Sequence, residues 1–319
     1  MSSGEGSGTG HGAWDRSTVE LDAIPRLGGV YARAVAGAAT SVGRTPTLSA
    51  DDVATHALLV RGVRSDADHL TAYQQLVGEP VSDVLPAGFV HVLTFPLSIA
   101  HLARAVPLPL LGMVHLANRV TQHRPIRLGE DLDIRVRAAD PRQHRKGVAI
   151  DAVADASVGD VVVWQGVSTY LAKGARIAGE AGVPEGDGPS FAPGAPTGLW
   201  HLTADTGRRY AAVSGDRNPI HTSRVAARAF GFPRRIAHGM YTAARALAEV
   251  GTARGEAYEW AVEFARPVLL PSTVAVRIAP DDGPGGGMRL AAWNQRTGKP
   301  NLTGSVRRLR RERSARRAG

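Results

Sequence analysis

The chain has 319 residues, 43% of them apolar and 21% charged, enough to fill the cores of two ordinary domains and too apolar for wholesale disorder. Zero cysteines exclude disulfides, thiolate metal sites and cysteine nucleophiles, and no apolar run is long enough to cross a bilayer. The net charge is +9, but residues 307–319 hold seven arginines against Glu312, so this tail carries +6 and everything before it only +3. A basic arm without interleaved aromatics, and no zinc-finger, RNA-recognition or helix-turn-helix signature, argue against a nucleic-acid partner.

In chain order, residues 1–20 have Gly/Ser-rich linker composition and no apolar signal-peptide core, which predicts a flexible N-terminus and a cytoplasmic address. Residues 21–174 read as a first domain. A helix capped by Asp66 runs past Tyr73 to Gly78. Alternation at Leu132, Ile134 and Val136, at Val148 and Ile150, and from Val161 to Leu171 predicts strands. Residues 175–197, dense in Gly and Pro, read as an interdomain linker. Residues 198–306 form a second domain, with a helix capped by Thr203 and ending at Gly215. A longer helix carries the stripe Met240, Ala243, Ala244, Leu247 and Val250, and strands follow at 258–264 and at Val274, Val276 and Ile278. Residues 307–319 are the basic tail.

The two halves repeat one another. Tyr73-x4-Gly78 matches Tyr210-x4-Gly215 at an offset of 137, and Arg124-Pro-Ile126 matches Arg266-Pro-Val268 at an offset of 142. Each half then reads as a buried helix with antiparallel strands around it, and two such units would pack as an intramolecular dimer. The fold class expected is α+β.

The chemistry concentrates in Tyr210-Ala-Ala-Val-Ser-Gly-Asp216-Arg-Asn218-Pro-Ile-His221 and in Ile236-Ala-His238-Gly239-Met240. Gly215, Asn218 and Pro219 mark the first segment as a rigid turn, neither regular helix nor strand. Asp216 and His221, five residues apart, suit an acid/base couple, since an imidazole exchanges protons near neutrality and a carboxylate can orient a water. That couple serves water addition to a polarised double bond, its reversal, or water attack on a thioester. Gly239, at a helix start, can offer its N–H to an oxyanion, and Asn218 can supply an amide or brace the turn.

Tyr-x4-Gly-Asp-x-Asn-Pro-Ile-His, followed by Gly-Phe-x3-Ile-Ala-His-Gly-Met, resembles the signature of the MaoC-like, (R)-specific enoyl-thioester hydratases (hydratase 2) and 3-hydroxyacyl-thioester dehydratases. Leu111-Gly-Met-Val-His115, Gln122-His-Arg-Pro125 and Trp164 resemble the non-catalytic half of the double-hotdog members. The resemblance implies a double hotdog: two antiparallel sheets, each around a long helix, packed as a pseudo-dimer. It implies reversible interconversion of trans-2-enoyl and (R)-3-hydroxyacyl thioesters in fatty-acid metabolism, a hydro-lyase activity. Asp216 and His221 would handle the water, Gly239 N–H would bind the thioester carbonyl, and Asn218 would support the site. Tyr210, Ser214, Gly215, His238 and Met240 are expected against the substrate, with His238 serving chiefly the turn. No metal or redox cofactor is implied, because the thioester itself acidifies the α-proton.

The first half departs from this pattern, with Glu79 in place of Asp216 and Val84 in place of His221. It should therefore lack acid/base capacity and shape the acyl channel through residues 93–111. Glu79 is expected at the mouth, and His91, His101, His115 and His123 in the core or on the surface. Acyl-CoA and acyl carrier protein both remain open as substrate carriers, either of which could meet Arg208, Arg209, Arg217, Arg224, Arg234 and Arg235. A homodimer of pseudo-dimeric chains is left open too. The alternatives are a hotdog thioesterase, which releases free thiol, and a non-catalytic thioester-binding subunit, which does not turn over.

Overall fold

The computed structural model describes residues 17–31, 45–49, 52–53, 56–108, 112–181, 191–283 and 285–309. The strands are β1 (Thr18–Glu20), β2 (Thr47–Leu48), β3 (Ala57–Val63), β4 (Val114–Gln122), β5 (Leu132–His144), β6 (Gly147–Val158) and β7 (Val161–Lys173). They continue with β8 (Arg176–Ile177), β9 (Gly198–Leu202), β10 (Tyr258–Phe264), β11 (Ser272–Pro280), β12 (Met288–Asn294) and β13 (Pro300–Arg308). The helices are α1 (Ala67–Val77), α2 (Ala87–Ala105), α3 (Thr206–Ser214), α4 (Pro219–Thr222), α5 (Arg224–Ala229) and α6 (Gly239–Val250).

Eleven strands form one sheet in the order β1-β3-β5-β6-β7-β4-β10-β13-β12-β11-β9, and β2 pairs with β8 in a separate ribbon. The sheet is antiparallel except at its edge, where β1 runs parallel to β3. The two halves meet where β4 pairs with β10, in a register that sets Arg119 opposite Ala261. These positions differ by 142, the offset of the Arg-Pro repeat, so residues equivalent in the duplication face each other across a pseudo-twofold axis.

Each half wraps its strands around one apolar helix, α2 or α6. An α-helix cannot be buried on all sides unless nearly every face is apolar or small, and both meet that demand. The helices approach at Gly88, where an added Cβ would lie 3.3 Å from Ala244 Cβ. Trp164 closes the first half from below, donating its indole N–H to the Ala87 carbonyl at 3.2 Å.

The halves differ in length. Helix α2 has 19 residues against 12 in α6, about 10 Å more at 1.5 Å per residue. Strands β5 to β7 are likewise longer than β11 to β13. This extension has its own core, in which Phe95, Ile99 and Leu102 pack with Ile150, Tyr170, Leu27 and Val30.

The structure corrects several sequence expectations. Thr18–Glu20 is paired, with Ser17 accepting from Ala57 N–H, so this part of the presumed flexible N-terminus is a sheet edge. Within the presumed linker, Arg176 and Ile177 pair with β2. Arg307 and Arg308 close β13 rather than opening a tail, and residues 310–319 lie outside the described region. Asp66 caps α1 through its side chain as expected, but α3 starts after Asp205 rather than Thr203.

Candidate active site

The site is assembled by short-range rules around Asp216. Helix α3 ends at Gly215, whose N–H still bonds the Ala211 carbonyl and whose φ of 71° then turns the chain sharply. Asp216 follows in the turn. Its N–H bonds Ser214 Oγ at 3.2 Å, and its Oδ1 accepts the Asn218 N–H at 3.1 Å, an Asx turn. Asn218 then caps α4 by accepting the Ile220 N–H at 3.3 Å, with Pro219 as the first helical residue. The expectation of an entirely irregular turn is thereby corrected: Pro219 is preorganised for a first helical position, and one turn of helix carries His221. Gly207 permits the tight packing of α3 on this turn, because any side chain there would run into the His221 carbonyl.

Hydrogen bonds fix the tautomers of both histidines. His221 Nδ1 lies 2.9 Å from the Ile236 carbonyl, which can only accept, so Nδ1 carries the proton and Nε2 of the neutral ring is a bare acceptor. His238 Nε2 donates to the Asp216 carbonyl at 3.0 Å, leaving Nδ1 bare and, among the described residues, unpartnered. The two rings stack with centroids 3.6 Å apart.

Electrostatics favour a charged carboxylate beside neutral imidazoles. Burial pushes the Asp216 carboxyl upward, but His238, His221, the Tyr31 hydroxyl and the Asn218 N–H together hold it below the usual carboxylate range. Burial lowers His221, partly offset by Asp216 and the Ile236 carbonyl. Burial, reinforced by His221, takes His238 down to about 3.

These groups open into a cavity of about 740 Å³. Tyr210, Ser214, Asp216, Asn218, His221, His238, Gly239 and Met240 all line it. Gly215 is not part of the lining and acts through the backbone turn. Gly239 is the first residue of α6, and among the described residues no acceptor engages its N–H. A Cβ at Gly239 would lie 3.0 Å from the Phe264 ring, so close packing also favours glycine here. The donor atoms of Asp216, His221 and His238 lie within 4.8 Å of one another. One nitrogen of each ring is spent on a carbonyl, which leaves each histidine a single bare nitrogen.

Other groups in the cavity wall escaped the sequence reading. Tyr31 donates its hydroxyl to Asp216 Oδ1 at 2.8 Å from 185 residues away, and no local pattern marks it. His91 is buried and His115 half-buried, and both line this cavity rather than the core, with Tyr170 beside His115. Burial takes His91 to about 4 and His115 to about 3. The basic residues in the lining are Arg145, Lys146, Lys173 and Arg266, none of them among the six motif-flanking arginines. Glu79 is not at the mouth. It is buried in a two-pronged ion pair with Arg254, at 2.6 and 2.9 Å.

Residues 191–288 match the MaoC like domain. The chain is 38% identical over 280 residues to 3-hydroxyacyl-thioester dehydratase X of Mycobacterium tuberculosis, covering 87% of this chain and 96% of that protein. A crystal structure of that mycobacterial protein superposes with a TM-score of 0.69 at 36% identity, over 79% of this chain and 100% of the other. A MaoC-like dehydratase from Phytophthora capsici shares the fold, with a TM-score of 0.64 at 18% identity over 82% and 97% of the two chains. With a hotdog fold, a complete Asp-x-Asn-Pro-x-His turn and this extent of identity, the chain belongs to the MaoC-like dehydratase family.

Proposed function

We propose that the chain is a hydro-lyase that interconverts (R)-3-hydroxyacyl and trans-2-enoyl thioesters in fatty-acid metabolism, with Asp216 and His221 as its acid/base pair. The observation that carries this reading is the fixed tautomer of His221, which aims a bare Nε2 into the same cavity as the Asp216 carboxylate. In hydration, the water oxygen bonds C3 while the pair takes a proton from it and returns one to C2. Dehydration runs the same steps backward, and the pair ends each cycle in its starting protonation state.

As the proton moves at C2, negative charge grows on the thioester oxygen. Gly239 N–H, unengaged at the first turn of a twelve-residue helix, is placed to receive it with the helix dipole behind it. Asn218 braces the turn through its side-chain oxygen, which caps α4.

The rest of the cavity suits an acyl thioester. Val92, Phe95, Ile99, Leu102 and Met113 give an apolar wall, mostly from the extension of α2. Arg145, Lys146, Lys173 and Arg266 are exposed cations in its lining, suited to the phosphates of CoA or to an acidic carrier. Among the described residues no helix is long and apolar enough to span a membrane.

The test is hydration of a short and a medium-chain trans-2-enoyl-CoA, with product chirality, by wild type, Asp216→Asn and His221→Ala. (R)-3-hydroxyacyl product that falls by about two orders of magnitude or more in both variants supports the reading. Release of free CoA would make the chain a thioesterase, and binding without turnover would make it a binding subunit.

A further inference from the structure

We infer that Tyr31 is a positioning residue of the active site, its hydroxyl clamping one oxygen of Asp216 so that the other faces the reacting water. The inference rests on the acid/base role of Asp216 proposed above. The two oxygens of Asp216 are unequal. Oδ1 accepts twice, from the Tyr31 hydroxyl at 2.8 Å and from the Asn218 N–H at 3.1 Å. Oδ2 accepts no hydrogen bond among the described residues, with His238 Nε2 3.6 Å away. The proton of that His238 nitrogen is already committed to the Asp216 carbonyl, so Oδ2 is the oxygen left for water.

Tyr31 is held for this task by its own segment. It ends the described helical turn at 27–31, whose Leu27 and Val30 are buried against Phe95, Ile99 and Leu102 of α2. The segment is tied to the sheet through β1 and through Leu21 N–H, which bonds the Leu59 carbonyl. Rigid anchoring matters because a carboxylate free to rotate about its side-chain torsions presents either oxygen, whereas one held at Oδ1 presents Oδ2 alone. The first half of the chain has no acid/base pair of its own, yet it supplies this hydroxyl to the second half.

The clamp also keeps Asp216 ionised. Burial holds the Tyr31 hydroxyl protonated well above its ordinary range, with the Asp216 charge adding to the effect, so it remains a donor throughout the working pH range. The other titratable groups facing Asp216 are His221, His238, His91, His115, Tyr170 and Tyr210. Of these, His91, His115 and His238 are neutral above about pH 5, and burial holds both tyrosines protonated.

The experiment is a double-mutant cycle of Tyr31→Phe and Asp216→Asn in the full chain, read by hydration kinetics on trans-2-butenoyl-CoA. Tyr31→Phe should lower kcat by about tenfold to a hundredfold, the range for one hydrogen bond to a charged group, with KM little changed. In the Asp216→Asn background the same substitution should lower kcat further by less than about twofold. An unchanged kcat in Tyr31→Phe, or losses that simply multiply, would overturn the inference while leaving Asp216 in its role. Full activity in Asp216→Asn alone would instead overturn the acid/base reading. Should Tyr31→Phe fail to fold, 3-fluorotyrosine at position 31 keeps the ring and makes the hydroxyl a stronger donor. A kcat altered by that change supports the clamp, and a kcat equal to wild type overturns it.

Discussion

His221 and His238 lie face to face, their ring centroids 3.6 Å apart and their planes within 25°. One ring belongs to the helical turn α4 and the other to the residue that opens α6, so the contact joins the two segments of the motif. Each ring spends its proton on a backbone carbonyl, Ile236 for His221 and Asp216 for His238. His221 keeps a bare nitrogen, the one the proposed reaction uses, while His238 bonds the backbone carbonyl of Asp216.

That division predicts the effect of His238→Phe. Phenylalanine can keep the stacking but removes the donor to the Asp216 carbonyl, freeing the turn that carries the carboxylate. A kcat lower by about tenfold or more, with KM near wild type, is expected in steady-state hydration assays. An unchanged kcat would limit His238 to a packing role at the start of α6.

The buried histidines predict acid sensitivity. Burial lowers His91 and His101 to about 4 and His115 and His238 to about 3. The unfolded chain protonates these groups near their ordinary value of about 6.5, so it binds more protons than the folded chain below that pH. Their contribution is fully present above pH 6.5 and is lost as pH falls towards 4. Each histidine costs up to about 1.4 kcal/mol per pH unit in that window. Urea midpoints should be equal at pH 8 and 7 and fall steeply between pH 6 and 5.

The Glu79–Arg254 pair predicts a stability effect without a catalytic one. Glu79 aligns with Asp216 in the duplication, but Arg254 from the other half neutralises it, and its side chain is only 3% exposed. Removing one partner leaves a buried charge. Glu79→Met should therefore destabilise by about 3–5 kcal/mol, and Arg254→Met on top should restore most of that. Both comparisons are read by urea denaturation. Neither residue lines the cavity, so kcat at 25 °C should stay within about twofold of wild type.

The apolar wall from α2 predicts chain-length selection. Ile99→Trp adds bulk to the cavity lining and should reduce kcat/KM for a medium-chain enoyl-CoA by about tenfold or more, sparing the four-carbon substrate. The estimate follows from about 0.8 kcal/mol for each methylene kept out of an apolar site. Equal losses for both substrates would place the acyl chain elsewhere.

The sequence by itself determined what depends on near neighbours. The turn from Gly215 to His221 is specified by φ preferences, an Asx bond and a cap between near neighbours, so the pairing of Asp216 with His221 could be read directly, while the choice of reaction rested on the family resemblance. The apolar stripe of α6 and the alternation in β5 and β10 were equally local, and comparison of the two halves made them a duplicated unit of one helix with strands around it, while the hotdog fold itself came from the family resemblance of the motif. Alignment of the halves also showed Glu79 and Val84 at the positions equivalent to Asp216 and His221. The tertiary structure alone decided which distant groups complete the site. Tyr31 reaches Asp216 only because a helical turn docks on α2, while His91 and His115 enter the wall because α2 and β4 converge there. The cations in the cavity lining lie at the β5–β6 turn, the end of β7 and just after β10, not beside the motif. Arg266 and His115 stood in patterns the sequence showed, but no pattern marked any of these groups as cavity lining, since that role comes from packing between elements far apart in the chain.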